Sequence, residues 1–418
     1  MLQSFSFIFG LAALLSFVNH KWLKLPYTIG LMILSVLTVG LIYLSQFISP
    51  LLFDLFCDLV YAADFEQLLF DGLLSFLLFA GALHINIRDL AKERWSVLMF
   101  ASLGVLISTF LIGGGVKGLA MVLGLDMPFI YCLLFGALIS PTDPIAVLAI
   151  LKQADIPPSL QLKIEGESLF NDGVGVVVFS GLLLLTPMMS EMGGGESIAV
   201  EISLLFVEEA IGGLLYGMIL GFAGYRLIKA VFDSPQLAVL CSLAVVMTGS
   251  ALAESMHVSA PLAMVVCGLV IGNSLDINHE MDSPAKHLLN EVWEVLDHVL
   301  NGILFVLIGL ALHLLAYELL YLIMGFGAIL IVLGARFLSV FSSYSFLRHT
   351  EDHPMDTVKI LSWGGLRGGI SIALALSLKE YPFGDGIILI TYMVVLFSIL
   401  VQGLTLGKFV AWIRSRSS

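Results

Sequence analysis

Apolar residues in this chain come in long runs, interrupted by short polar stretches, and no stretch of about ten residues alternates apolar with polar as a membrane β-barrel strand would. The runs are roughly 17–25 residues long, the length that crosses a bilayer as a helix. Backbone amides surrounded by lipid must bond within their own segment, so such runs predict helices. Thirteen are predicted, near 5–19, 27–45, 66–86, 95–123, 128–151, 160–186, 203–229, 235–253, 258–275, 288–314, 316–346, 357–379 and 386–412. The longest connections are 46–65, 187–202 and 276–287. The first run has no basic region ahead of it, and Lys21 and Lys24 follow it instead, so it is expected to be a retained helix rather than a cleaved signal.

Basic residues in the connections test this alternation, because they concentrate on the cytoplasmic side. With the N-terminus outside, the inner connections and the C-terminal end carry Lys21, Lys24, Arg88, Lys92, Arg94, Lys152, Lys163, Arg226, Lys229, Lys286, Arg348, Lys359, Lys408, Arg414 and Arg416. The outer connections carry only Lys117 and Lys379, together with the acids Asp54, Asp58, Asp64, Glu191, Glu196 and Glu201. Fifteen against two supports both the number and the direction of the spans. It places the C-terminus in the cytoplasm of a cell whose plasma or inner membrane the chain would cross.

Thirteen spans divide into residues 1–186, a linking seventh helix within 187–230, and 231–418. The first and eighth spans run in opposite directions, which is the layout of an inverted repeat, with sites expected where helices break near midplane. The fifth span of each half is the irregular one. The first contains Ser140-Pro141-Thr142-Asp143-Pro144, in which two prolines remove amide donors and break the helix. The second contains Gly364-Gly365-Leu366-Arg367-Gly368-Gly369, a flexible run with a cation in its middle. The expected fold is therefore an all-α polytopic bundle of two inverted six-helix repeats with crossed, discontinuous helices.

Composition agrees. Of 418 residues 59% are apolar and only 12% charged, with a mean hydropathy of +1.02, too little charge to cover a water-soluble protein of this length. No run of the sequence reads as a separate soluble domain. The net charge of -13 resides mainly in the loops, and no basic tract suggests nucleic acid. Cys57, Cys132, Cys241 and Cys267 are scattered and read as small core residues, neither disulfides nor metal ligands.

Charges at bilayer depth are functional candidates by default. Four stand out: Asp143, Glu167, Asp172 and Arg367. In Gly166-Glu167-Ser168-Leu169-Phe170-Asn171-Asp172-Gly173, Ser168 and Asp172 are one helical turn apart on one face, and Glu167 and Asn171 on the adjoining face. Asn-Asp-Gly reads as a turn in a soluble protein, but here apolar sequence flanks it on both sides. Arg367 needs an anion, and Glu167 is the expected partner, which leaves Asp172 without a counter-charge. A carboxylate in that position can hold a proton or a small hard cation, with the Ser168 hydroxyl and the broken backbone at Thr142 as further oxygen ligands. It cannot hold both at once, and competition for one carboxylate is already an exchange mechanism. Asp143, at the break, is expected to hold the crossed helices together through half-helix N-termini.

Three stretches, 140–144, 166–173 and 364–369, resemble in sequence and order the sodium/proton antiporters of the cation:proton antiporter group, in particular the NhaP/NHE-like branch. The resemblance covers essentially the whole chain. It implies a homodimer with a mobile core domain, an ion or proton carried by Asp172, Thr142 and Ser168 as co-ligands, and a Glu167–Arg367 pair. Asn171 before Asp172 resembles the electroneutral branch, one cation for one proton. The resemblance implies sodium foremost as cargo, with lithium or potassium as alternatives, exchanged for protons, and no cofactor. One departure is that some bacterial relatives have an acid in the third span, where this chain reads Leu78-Phe79-Ala80-Gly81-Ala82-Leu83-His84. His84 is expected at the inner end of that span. Glu291, Glu294, Asp297 and His298 are expected to line a solvated inner entrance.

Other readings fare worse. An intramembrane aspartyl protease would pair Asp143 with Asp172, but its Gly-x-Gly-Asp pattern is missing, and His279-Glu280 is followed by Met281-Asp282-Ser283, not by a zinc motif. A cation channel would need no counter-transported proton, and broken helices in an inverted repeat suit alternating access better.

Overall fold

The computed structural model describes residues 2–47, 49–61, 72–143, 147–148, 158–191, 196–277, 283–315, 317–346 and 354–417. Every regular element among them is helical. In chain order these are α1 (Leu2–Val18), α2 (Tyr27–Ser45), α3 (Pro50–Tyr61), α4 (Leu74–Leu83), α5 (Ile87–Lys92), α6 (Arg94–Val122), α7 (Phe129–Ile139) and α8 (Pro158–Glu191). There follow α9 (Glu196–Ala230), α10 (Pro235–Ser255), α11 (Ala260–Ile277), α12 (Pro284–Leu310), α13 (Leu319–Phe346), α14 (Pro354–Trp363), α15 (Gly369–Leu376) and α16 (Gly384–Ile413).

Nine of the described helices are long and apolar enough to cross a bilayer, and three shorter apolar ones lie at Leu74–Leu83, Phe129–Ile139 and Ala260–Leu275. These fall within twelve of the predicted runs. The remaining run, 357–379, is split into α14 and α15, with no helical residues at 365–368. The run 128–151 also breaks, because α7 ends at Ile139 and 141–143 are not helical; Pro144 lies outside the described residues. Two expected linkers differ. Helix α3 occupies 50–61 within the connection 46–65, and α8 and α9 extend into 187–202. A helix satisfies its own backbone whether lipid or water surrounds it, so it need not stop where the apolar run does.

The outward surfaces are oily. Leu214, Leu215, Met218, Ile219 and Phe222 of α9 are exposed, as a lipid-facing helix requires. Inside, α6 packs on α7 and α13, α12 on α2 and α10, and α13 on α16. A second cluster forms where α4, α10, α11 and α12 meet around the buried Trp293, whose Nε1 donates to Ser242 Oγ at 2.9 Å. Without a hydrophobic force between helices in lipid, small residues that let backbones approach matter most. Gly268 and Gly272 of α11 serve in this way. A Cβ on Gly268 would sit 2.7 Å from the Phe79 carbonyl oxygen, and one on Gly272 would run into the Leu83 carbonyl. One turn short of the end of α11, Asn273 closes the chain turn after α4. Its Nδ2 donates to the Ile85 carbonyl at 2.9 Å, and its Oδ1 accepts from the Ile87 amide at 2.6 Å. These contacts fix α4 as one wall of the cavity described below.

Gly272→Ala should destabilise the protein by about 1–3 kcal/mol, the usual cost of overpacking, seen as a lower melting temperature in detergent. Gly40→Ala, where a Cβ meets nothing within 4 Å, should not lower it. Equal melting of the two variants would contradict the close α4–α11 contact.

Candidate functional site

The two broken spans cross. Helix α7 ends at Ile139, where Ser140 Oγ turns back to the Gly136 carbonyl at 2.6 Å, and Pro141 then forbids continuation. In the other break, the Gly364 amide donates to the Ile360 carbonyl at 2.7 Å and the Leu366 amide to the Gly364 carbonyl at 2.8 Å, before α15 starts at Gly369. The Asp143 amide donates to the Leu366 carbonyl at 2.8 Å and so joins the two unwound stretches directly. The Arg367 guanidinium donates to the Ser140 carbonyl and, at 2.9 Å, to the Pro141 carbonyl. The carbonyls at the C-terminal end of a half-helix have no intrahelical partners and form its negative dipole end, so a cation there satisfies both needs. The Arg367 amide is held by Ser398 Oγ at 2.9 Å.

Glu167 does not take Arg367 as its ion-pair partner, contrary to the sequence expectation. Its carboxylate binds Arg336 of α13 at 2.5 Å, with both side chains buried. The reason is topological: α13 packs beside α6 and α14 and carries Arg336 to Glu167, while the freed carbonyls of the other break occupy Arg367. Arg336 is the buried charge that sequence reading passed over. Its signal was present, since it lies at the middle of an apolar run, at a depth comparable with the four charges singled out.

The remaining predicted residues assemble around Thr142. Asn171 Nδ2 donates to Thr142 Oγ1 at 2.8 Å, and Asn171 Oδ1 accepts from the Thr142 amide at 3.3 Å. This reciprocal pair fixes an otherwise unsupported residue in the break. Thr142 Oγ1 also lies 3.2 Å from Ser168 Oγ. Thr142, Ser168, Asn171 and Asp172 are all buried. No described Lys or Arg forms an ion pair with Asp172, and the charge beside it is a second carboxylate, Asp143. Asp143 in turn approaches the start of α15 closely, since a Cβ on Gly368 would lie 2.7 Å from Asp143 Oδ2.

A cavity of about 600 Å³ is lined by Thr142, Asp143, Ser168 and Asp172. It is also lined by Gln161 and Glu165, which with Ser168 and Asp172 form one polar stripe of α8 at spacings of four, three and four residues. His84, at the C-terminal end of α4, and Asp297, in the N-terminal half of α12, line it as well. His298, next to Asp297, instead stacks on Tyr27 with ring centroids 3.8 Å apart. The described part of the third span contributes an apolar wall of Leu74, Leu77, Leu78 and Gly81, with His84 at its end. A second cavity, about 880 Å³, lies toward the opposite helix ends, at Ser180 of α8, Glu208 and Glu209 of α9 and Glu254 of α10. Asp172 lines the first and not the second. Among the described residues no group of three or more His, Cys, Asp or Glu side chains is placed to hold a metal centre.

Comparison with known proteins gives a consistent result. Residues 9–412 match the profile of a family described as "Sodium/hydrogen exchanger, transmembrane". The chain is 43% identical to the Na(+)/H(+) antiporter NhaP of Pseudomonas aeruginosa, over 98% of this chain and 96% of that protein. It is 34% identical to the Na(+)/H(+) antiporter NhaH of Halobacillus dabanensis, over 93% and 92%. The solved structure of the sodium proton antiporter MjNhaP1 from Methanocaldococcus jannaschii at pH 8 superposes with a TM-score of 0.73 at 22% identity, covering 98% of this chain and 97% of that one, and so shares its fold.

Arg336→Met should cost about 3–5 kcal/mol of stability by stranding the Glu167 carboxylate, whereas Arg336→Met with Glu167→Met should recover most of it. Melting of the purified single and double variants tests this. A double variant no more stable than the single would contradict the pairing.

Proposed function

The chain belongs to the sodium/hydrogen exchanger family, and on that premise we propose that it exchanges one monovalent cation, sodium foremost, for one proton by alternating access, with both competing for Asp172. It is a multi-pass membrane protein of a family of secondary transporters, not enzymes. The observation that carries the reading is the buried Asp172, free of any described cation, at the wall of a cavity shared with the Thr142 and Ser168 oxygens. A carboxylate with two hydroxyls suits a small hard cation, and the carboxylate alone suits a proton. Its relatives named Na(+)/H(+) antiporters supply the substrate class; lithium and potassium belong to the same series.

In this reading Thr142, Ser168 and Asp172 hold the cation. Asn171 orients Thr142, and Asp143, Glu167 and Arg367 keep the crossing rigid. One site carboxylate trading one charge makes the cycle electroneutral. The cavity beside Asp172 faces the helix ends that carry the basic connections, so the conformation is open inward, with the N-terminus outside and the C-terminus cytoplasmic. Opening outward would connect Asp172 to the second cavity. Residues 1–186 and 231–418 act as the inverted repeats about the linking helix within 187–230, in a homodimer whose membrane is that of the cell.

Acid should act as a competitor. Below the pKa of the site carboxyl, each unit of falling pH should raise the cation concentration for half-maximal exchange about tenfold, with the rate at saturating cation retained. Proton flux in sealed proteoliposomes, driven by added sodium, lithium or potassium at several pH values and with voltage clamped by ionophore, measures this and ranks the ions. A purely non-competitive loss of rate on acidification, or exchange that follows the imposed voltage, would contradict the one-site, electroneutral account.

A further inference from the structure

The cavity that reaches Asp172 has an unusual charge. Asp143, Glu165, Asp172 and Asp297 line it, His84 is the only other titratable side chain among the described lining residues, and no described Lys or Arg does. Clefts of one sign with low-dielectric walls concentrate the counter-ion. Of these acids, Glu165 accepts a hydrogen bond from Gln161 Nε2 at 2.8 Å, and Asp143 and Asp172 belong to the site already described. Asp297 stands apart, on α12.

Asp297 is organised for ligation by its neighbour one turn on. Asn301 Nδ2 donates to Asp297 Oδ1 at 3.0 Å and to the Asp297 carbonyl at 2.8 Å. Both amide hydrogens are thereby used, which fixes which end of the amide is which. Asn301 Oδ1, on a side chain only 1% exposed, accepts nothing from any described residue. No described cation pairs with the Asp297 carboxylate; the charge beside it is another acid, Glu294. The Asp297 carboxylate, which among the described residues accepts from the Asn301 amide, and the partnerless Asn301 Oδ1 one turn on are hard oxygen ligands of the kind monovalent cations take. A buried amide oxygen without a partner costs free energy unless something binds it.

We propose that Asp297 and Asn301 form a second monovalent-cation site in the cavity, which captures the ion at the inner mouth and passes it to Asp172. This rests on the antiport reading above. It also supplies a cation-binding carboxylate from α12, in a cavity whose described α4 wall includes Leu74, Leu77, Leu78 and Gly81. Dehydration is then divided: the ion exchanges part of its water shell at Asp297 and the rest at Thr142, Ser168 and Asp172.

Two measurements on the full chain test it. The first is the dependence of exchange on sodium or lithium presented to the inner face in oriented membrane vesicles. Asp297→Asn should raise the half-saturating concentration about tenfold, the lower end of what such focusing supplies. Asn301→Ala, which keeps the charge, should raise it in the same direction, and Asp297→Glu should restore it. The second is calorimetric titration of purified protein with sodium at a pH where the original binds it. Asp172→Asn should retain a binding event, and Asp172→Asn with Asp297→Asn should lose it. An unchanged half-saturating concentration in both Asp297→Asn and Asn301→Ala, or no binding to Asp172→Asn, would overturn the second site. If Asp172→Asn still exchanged, the antiport reading would fail instead, while the titration would still report on Asp297.

Discussion

A bilayer offers no hydrogen bonds, so every backbone group freed by a helix break must be satisfied by another part of the protein. Here two breaks satisfy each other. The Asp143 amide bonds to the Leu366 carbonyl, and Arg367 covers the Ser140 and Pro141 carbonyls. Neither unwound stretch is tolerable alone at that depth; together they form a polar island inside an apolar bundle. The rest of the site follows from that island. Thr142 can present both its amide and its hydroxyl to Asn171 only because it is not helical. Asp143 meets the first turn of α15 only because Gly368 has no side chain to keep it away.

The buried charges divide by what they touch. Glu167 and Arg336 neutralise each other, and Arg367 is held by carbonyls. Breaking either arrangement leaves a bare charge in low dielectric, which makes these groups rigid parts of the scaffold. Among the described residues Asp172 has no such partner. In the proposed cycle it is the group whose charge a mobile ion balances, and it lines the cavity shared with Glu165 and Asp297. The same helix, α8, therefore carries a paired charge at Glu167 and, in the proposed cycle, an exchangeable one five residues later. The two cavities are separate, one toward each set of helix ends, and in the proposed cycle this separation gives the exchange its sidedness.

Much of this was legible in the sequence, because a membrane makes patterns stark. Run length predicted the long helices, and prolines and glycines marked both breaks at the residues where α7 and α14 stop. Helical spacing plus the break brought Thr142 together with Ser168; Asn171 was read on the adjoining face with Glu167, and its bonds to Thr142 come from the structure alone. The partner of Glu167 was not legible, because pairing depends on which helices are neighbours, and periodicity does not give that. Arg336 was visible as a charge, yet only the packing of α13 says what it faces. Nothing in the sequence singles out Asn301; its meaning comes from Asp297 one turn before it and from the cavity both line. Helix α3 escaped because its apolar run is too short to read as a crossing.

The most direct test of the account is proton flux across proteoliposomes driven by a sodium pulse, comparing the original chain with Asp172→Asn of equal melting temperature and equal protein per vesicle. The account predicts brisk sodium-driven proton movement in the original and none above empty vesicles in the variant, since an amide can neither release a proton nor balance a cation. Sodium-driven flux persisting in Asp172→Asn would place the exchangeable charge elsewhere and contradict it.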